Sequence, residues 1–214
     1  PSVEAFLAYA KLKGGPTVLG LSMNAVGIYR DNQPLFDREI QVARANGMTV
    51  QIHYLEDYAN REEEQGRWPK ILQAKALGKD VSYAHFIHTT DAILIQTAEQ
   101  GGAMIWNPLS NGRLASGLPD IEDYLQRGIR IGLGVDGAAS ADIADPFENM
   151  RMGLYSLRMR AMDPTVFSPL EILRMHTLGT AEALGVDEQI GSLEVGKLAD
   201  LLIIDLGQPV TGAL

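Results

Sequence analysis

Residues 48–57, MTVQIHYLED, form an apolar strand that ends in a histidine, His53, with a glutamate, Glu56, three positions on. Two readings compete for it. In the first, His53 is a core histidine beside a solvated loop, the commoner use of a lone histidine at such a place. In the second, His53 is a metal ligand beside a proton shuttle at the mouth of a barrel. The choice turns on what stands at the ends of the other strands.

Working outward, short runs rich in Val and Ile alternate with longer helical patterns. Strands are expected near 17–23, 48–53, 81–86, 103–107 and 130–135, and helices over 34–47, 68–78, 89–102, 120–128, 145–162 and 168–185. Gly47 closes the first helix, Thr89 or Thr90 caps the third, and Ser168 followed by Pro169 opens the last. Strands buried on both faces, each followed by a helix, are parallel βα units. Five in succession fit a doubly wound sheet or part of a (β/α)8 barrel. No Gly-rich phosphate fingerprint follows any strand, which weighs against nucleotide binding.

Composition narrows the chemistry. The chain has 214 residues, 46% of them hydrophobic, a net charge of −9 and no cysteine. Such an acidic surface lacks the basic footprint of a nucleic-acid partner. Without cysteine, any metal must be held by imidazole and carboxylate. No apolar run reaches the roughly 20 residues of a membrane span, and the N-terminal PSVEAFLAYAKLKGG has no signal-peptide pattern. A cytoplasmic location is therefore the expectation.

Polar residues recur at the C-terminal ends of the expected strands: His53, His85, Asn107 and Asp136. That is the end at which α/β barrels build their sites. A carboxylate buried behind IGLGV without a partner would cost several kcal/mol, roughly, so Asp136 calls for a cation or strong donors. A divalent metal shared with His53 meets that need. His88 reads as a loop residue and His176 as structural. The acidic run REEEQGR (61–67) reads as a solvated loop or helix start, and Met150, Met152, Met159 and Met162 as core packing at helical spacing.

Taken together, HYLE (53–56), AHFIH (84–88), NPLSNGRLASG (107–117), GLGVDGAAS (132–140) and GSLEVGKLADLLIID (191–205) resemble the amidohydrolase superfamily. The likeness runs from about residue 17 to 205. It is greatest to the branch of adenosine-type, S-adenosylhomocysteine, guanine and 8-oxoguanine deaminases and the triazine hydrolases. The resemblance implies a metal-dependent (β/α)8 TIM barrel, of which strands four to eight are present. Residues 1–190 would be the C-terminal portion of that barrel, and 191–214 the return segment to a small composite β-sandwich.

The same resemblance implies roles. His53 and Asp136 would be metal ligands, and Asp136 would also take the proton of the attacking water. Glu56 would protonate a ring nitrogen of the substrate, and His85 would orient the water and the developing oxyanion. Asn111 in NPLSN would lie near the substrate, as would Asn24, which stands where several deaminases of this branch carry a histidine. The fourth strand, TVLGLSMN (17–24), has no lysine, so one divalent metal is implied, Zn2+ first and Fe2+ second. The implied reaction is removal of an exocyclic amino group from a purine-like base or nucleoside by metal-activated water. An s-triazine aminohydrolase or chlorohydrolase is the alternative, and a non-catalytic scaffold the alternative of another class. The family's His–x–His on strand one is absent, so the expected partners are a heterocyclic substrate, water and the N-terminal half of the barrel, with a homo-oligomer allowed.

Overall fold

In the computed structural model, the residues described are 22–205, together with 5, 6, 8 and 9. Five strands form one sheet: β1 (Ser22–Asn24), β2 (Thr49–Tyr54), β3 (Val81–His85), β4 (Ala103–Trp106) and β5 (Arg130–Leu133). They lie in sequence order, and every neighbouring pair is parallel. This is the arrangement that repeated right-handed βα crossovers dictate. The first expected strand, 17–23, lies outside the described residues except at its last two positions, where β1 begins.

Helices fill each crossover: α1 (Gln33–Ala45), α2 (Arg61–Gly66), α3 (Trp68–Gln73), α4 (Asp91–Glu99), α5 (Pro108–Arg113) and α6 (Ile121–Gln126). After β5 come α7 (Ala138–Ala141), α8 (Pro146–Ala161), α9 (Pro169–Arg174), a π-turn (Met175–Gly179) and α10 (Thr180–Leu184). Local signals set the ends. Gly47 follows the cap of α1 with φ +62°, Thr90 accepts the Ile93 amide at the start of α4, and Ser168 and Glu171 close a capping box on α9. The expected single helix over 168–185 is interrupted by the π-turn, which carries His176.

Burial separates the two faces of the sheet. Along β2 the pattern alternates strictly, with Val50, Ile52 and Tyr54 buried and Thr49, Gln51 and His53 half-buried. The buried set joins Phe36, Ile40, Trp68 and Ile71 in the core beneath the helices. His53 therefore belongs to the other, inner face. The free edge of β5 is covered by the chain itself. Thr180 Oγ1 accepts the Leu133 amide at 3.0 Å and donates to the Leu133 carbonyl at 3.1 Å, occupying edge groups that would otherwise be left unpaired.

Two expectations about surface and core are corrected. Met159 and Met162 are 68% and 91% exposed, because the buried stripe of α8 runs instead through Asn149, Gly153, Leu154 and Leu157. Met150 does pack on the core. The acidic run is helical at Arg61–Gly66, but it is not wholly solvated. Glu64 is half-buried and bonds the Leu55 amide, and its burial pushes the carboxyl above its usual range.

Candidate active site

Three strand ends converge. His85 closes β3 and is 1% exposed. Its Nε2 stands 3.4 Å from Glu56 Oε2 and 3.9 Å from Asp136 Oδ2. The rings of His53 and His85 lie 5.4 Å apart, tilted by 43°. Residues at or just past the ends of β2, β3 and β5 thus meet at the C-terminal edge of the sheet. The backbone makes the convergence by leaving the strands in left-handed conformation, at Leu55 (φ +56°), His85 (+68°), Phe86 (+49°) and Asp136 (+62°). For residues with a Cβ that conformation costs on the order of 1–2 kcal/mol each, and such strain gathers at functional sites.

The electrostatics of the three groups differ in sign. Burial lowers His85 to about 4; the Asp136 charge opposes this and His53 adds to it. His85 is therefore neutral at pH 7; the Glu56 carboxyl at 3.4 Å is a close neighbour of an uncharged ring, and Asp136 at 3.9 Å lies beyond hydrogen-bonding reach. Burial also pushes the Glu56 carboxyl up, the Asp136 charge adds to that, and the Ser116 hydroxyl works against it. Asp136 moves the other way. Burial favours its neutral form, but the Ser110 hydroxyl, the Gly137 amide and the two imidazoles outweigh burial and hold it below the usual carboxylate range. Two carboxyl groups are thus driven apart within one site, the pattern that separates an acid from a base.

The remaining predicted residues fall in different places. Asn111 is 2% exposed, and its Nδ2 lies 2.9 Å from His85 Nδ1. Asn107, 4% exposed, bonds weakly to the Ile105 carbonyl at 3.4 Å. Asn24 is exposed at the end of β1, in register with Gln51. His88 is a loop residue whose Nε2 donates to the Ser116 carbonyl at 2.6 Å. His176 sits on the π-turn and bonds the Leu133 carbonyl. The sequence reading missed Ser110, Ser116 and Asn149. Asn149 is fully buried; it accepts from the Leu109 amide at 3.1 Å and donates to the Gly134 carbonyl at 3.0 Å, stapling α8 to both strand ends. Gly134 lacks a side chain for a reason, since a Cβ there would stand 2.4 Å from Asn107 Oδ1.

The donors suited to a metal are the His53 imidazole and the Asp136 carboxylate, nitrogen and oxygen ligands that zinc accepts. Among the described residues, no group of three or more His, Asp or Glu is arranged to hold an ion. The donor chemistry fits a divalent metal, and these two residues would supply part of its coordination sphere.

The sequence profile of the Amidohydrolase family matches residues 3–213. The chain belongs to that family. It is 29% identical over 211 residues to a 5'-deoxyadenosine deaminase of Methanopyrus kandleri, covering 96% of this chain and 49% of that protein. An adenosine deaminase from Xanthomonas campestris with bound zinc superposes with a TM-score of 0.83 at 28% identity, over 100% of this chain and 51% of that one. Atrazine chlorohydrolase from Arthrobacter aurescens TC1, complexed with zinc, gives 0.75 at 28% identity, over 92% of this chain and 45% of its own. This amidohydrolase chain thus spans about half the length of the relatives it matches. Its five parallel strands are strands of the family's TIM barrel, which decides between the two architectures that βα alternation had left open.

Proposed function

We propose that this chain carries the acid–base half of a metal-dependent aminohydrolase site acting on an adenosine-type nucleoside or purine-like base. The observation that carries the reading is the pair of carboxyl groups, Glu56 raised and Asp136 lowered, on one neutral imidazole at 3.4 and 3.9 Å. His53 and Asp136 would hold part of the coordination sphere of a divalent metal, which would supply Lewis acidity to the attacking water. Asp136, ionised, takes the proton of the attacking water. Glu56, held toward its neutral form, gives a proton to the ring nitrogen beside the carbon under attack. His85 presents Nε2–H to the oxygen that adds. Asp136 then passes the proton it took to the exocyclic amino group, Glu56 recovers a proton from the added hydroxyl, and collapse of the tetrahedral carbon breaks the C–N bond and expels ammonia. Asn24, exposed at the end of β1, is assigned to the substrate side.

The same reading assigns residues 1–190 to the barrel and 191–214 to a return segment toward a β-sandwich. The exposure of Leu202 and Ile203, 73% and 87%, supports this, since adjacent aliphatic side chains are covered in a finished fold. No helix among the described residues is long and apolar enough to cross a membrane.

The likeness to atrazine chlorohydrolase favours a second reading, attack on an s-triazine with loss of an amine or chloride. The deciding experiment takes the intact zinc-loaded protein and measures ammonia and chloride release from adenosine, 5'-deoxyadenosine, guanine and a chlorinated s-triazine. Ammonia from the nucleosides supports the first reading. Release from the triazine alone supports the second, and turnover of none of them makes the chain a scaffold.

A further inference from the structure

Segment 107–116 places a donor on each of three ionisable residues of the site, which come from three different strands. Ser110 Oγ donates to Asp136 Oδ2 at 2.7 Å, Asn111 Nδ2 to His85 Nδ1 at 2.9 Å, and Ser116 Oγ to Glu56 Oε1 at 3.4 Å. The three donors are 0%, 2% and 7% exposed. The segment is also fixed from outside and within. Asn149 holds the Leu109 amide, the Ser116 amide donates to the Asn111 carbonyl at 2.9 Å, and His88 donates to the Ser116 carbonyl.

We propose that this segment is a positioning element for the hydrolysis, with Asn111 holding His85 as its Nε2–H tautomer and Ser110 and Ser116 fixing the two carboxyl groups. The proposal rests on the reaction assigned above. The orientation of the Asn111 amide follows from bookkeeping of donors. As it stands, Oδ1 is a buried acceptor without a partner. Turned over, the amide would bury its NH2, with two donors, at that same unpartnered position, which is the worse arrangement. With Nδ1 of His85 accepting from the Asn111 amide, that nitrogen carries no proton, so the ring N–H is on Nε2, the nitrogen that faces Glu56 and Asp136. His85 then works as a hydrogen-bond donor to oxygen and not as a base. Ser110, Asn111 and Ser116 act through the groups they hold and are positioning residues.

The test is made on the intact, zinc-loaded protein with 15N-labelled histidine, of which this sequence has four. Long-range proton–nitrogen correlation reads the tautomer of His85, assigned by the signal lost in His85→Gln. The wild type is expected to show Nε2–H with Nδ1 unprotonated. Asn111→Asp replaces the donor by an acceptor, and is expected to bring a proton to Nδ1 and to lower kcat with zinc content unchanged. Ser110→Ala should weaken zinc binding in a chelator competition by about 10–100-fold, the usual scale for loss of a ligand's hydrogen-bond partner. Ser116→Ala should lower kcat with KM and tautomer unchanged. An Nδ1–H tautomer in the wild type overturns the proposal without any variant having to fold. So does Asn111→Asp with tautomer and kcat both unaltered. Because the tautomer is read without substrate, it stands or falls separately from the aminohydrolase reading, which the turnover panel decides.

Discussion

Nε2 of His85 faces Oε2 of Glu56 across 3.4 Å. One partner is a ring kept neutral by burial, and the other a carboxyl pushed toward its protonated form. The contact joins the ends of two strands, and under the proposed function Glu56 is the residue whose replacement would separate proton transfer from metal binding.

Glu56→Gln keeps size and hydrogen bonding but carries no transferable proton. If the proposed function holds, the intact variant protein should retain zinc and lose about 10²–10⁴-fold in kcat, the scale of positioned acid–base catalysis. His53→Ala should lose zinc and activity together. Elemental analysis beside initial rates separates the two, and full turnover by Glu56→Gln would remove the shuttle role.

Asn149 is the largest stability prediction. Its replacement by alanine leaves the Leu109 amide and the Gly134 carbonyl without their buried partner. At ~1–3 kcal/mol for each of the two orphaned groups the loss should be about 2–6 kcal/mol. Urea unfolding would register this as a lower midpoint, and a shift below about 0.5 kcal/mol would show that the staple is dispensable.

Arg130 spans the opposite end of the barrel, donating to the Gly101 carbonyl at 2.6 Å, to the Lys79 carbonyl at 3.0 Å and to the Glu182 carbonyl. Lysine keeps the charge but not the planar fork. Arg130→Lys should therefore destabilise by ~1–2 kcal/mol, with kcat unchanged, since this end is remote from the catalytic groups. Comparable stability of the two proteins would show that charge alone suffices.

His176 gives a pH signature. Burial lowers its pKa below the ordinary histidine value of about 6.5, although its bond to the Leu133 carbonyl works in the opposite direction. The unfolded chain therefore binds a proton that the folded chain refuses. Stability from this residue is complete above about pH 6.5 and is lost as pH falls through the depressed folded value. Thermal melts of wild type and His176→Gln at several pH values below and above 6.5 should converge or cross on acidification. Parallel curves would assign the acid sensitivity elsewhere.

Much of this arrangement is legible in one dimension. A strand's period of two and the polar residue at its end are local properties, so His53, His85 and Asp136 were found with their strands. Glu56 stood out by its place three residues past His53, and the resemblance supplied its particular role. The hydroxyls were not found, because Ser110 meets Asp136 across 26 residues and Ser116 meets Glu56 across 60. A serine in a loop carries no sign of which distant carboxylate it will face. Met159 and Met162 misled for a related reason. Helical spacing says that residues share a face, but which face is buried depends on where α8 docks, and there Gly153 packs against Trp106 and Pro108. Glu64 shows the same limit, since its charge gave no hint of the Leu55 amide within reach.

The strict alternation along β2 has a consequence for how this protein can vary. Exchanging one side chain for another leaves the frame of the strand intact, but adding or deleting one residue between Thr49 and Ile52 does not. Every position after the change would swap faces, carrying His53 in among Phe36 and Ile40 and turning Tyr54 toward the face that now carries His53. Length changes are tolerable only after Glu56, in the exposed run 57–60 ahead of α2. Homologous chains should differ freely in length there and never within the strand.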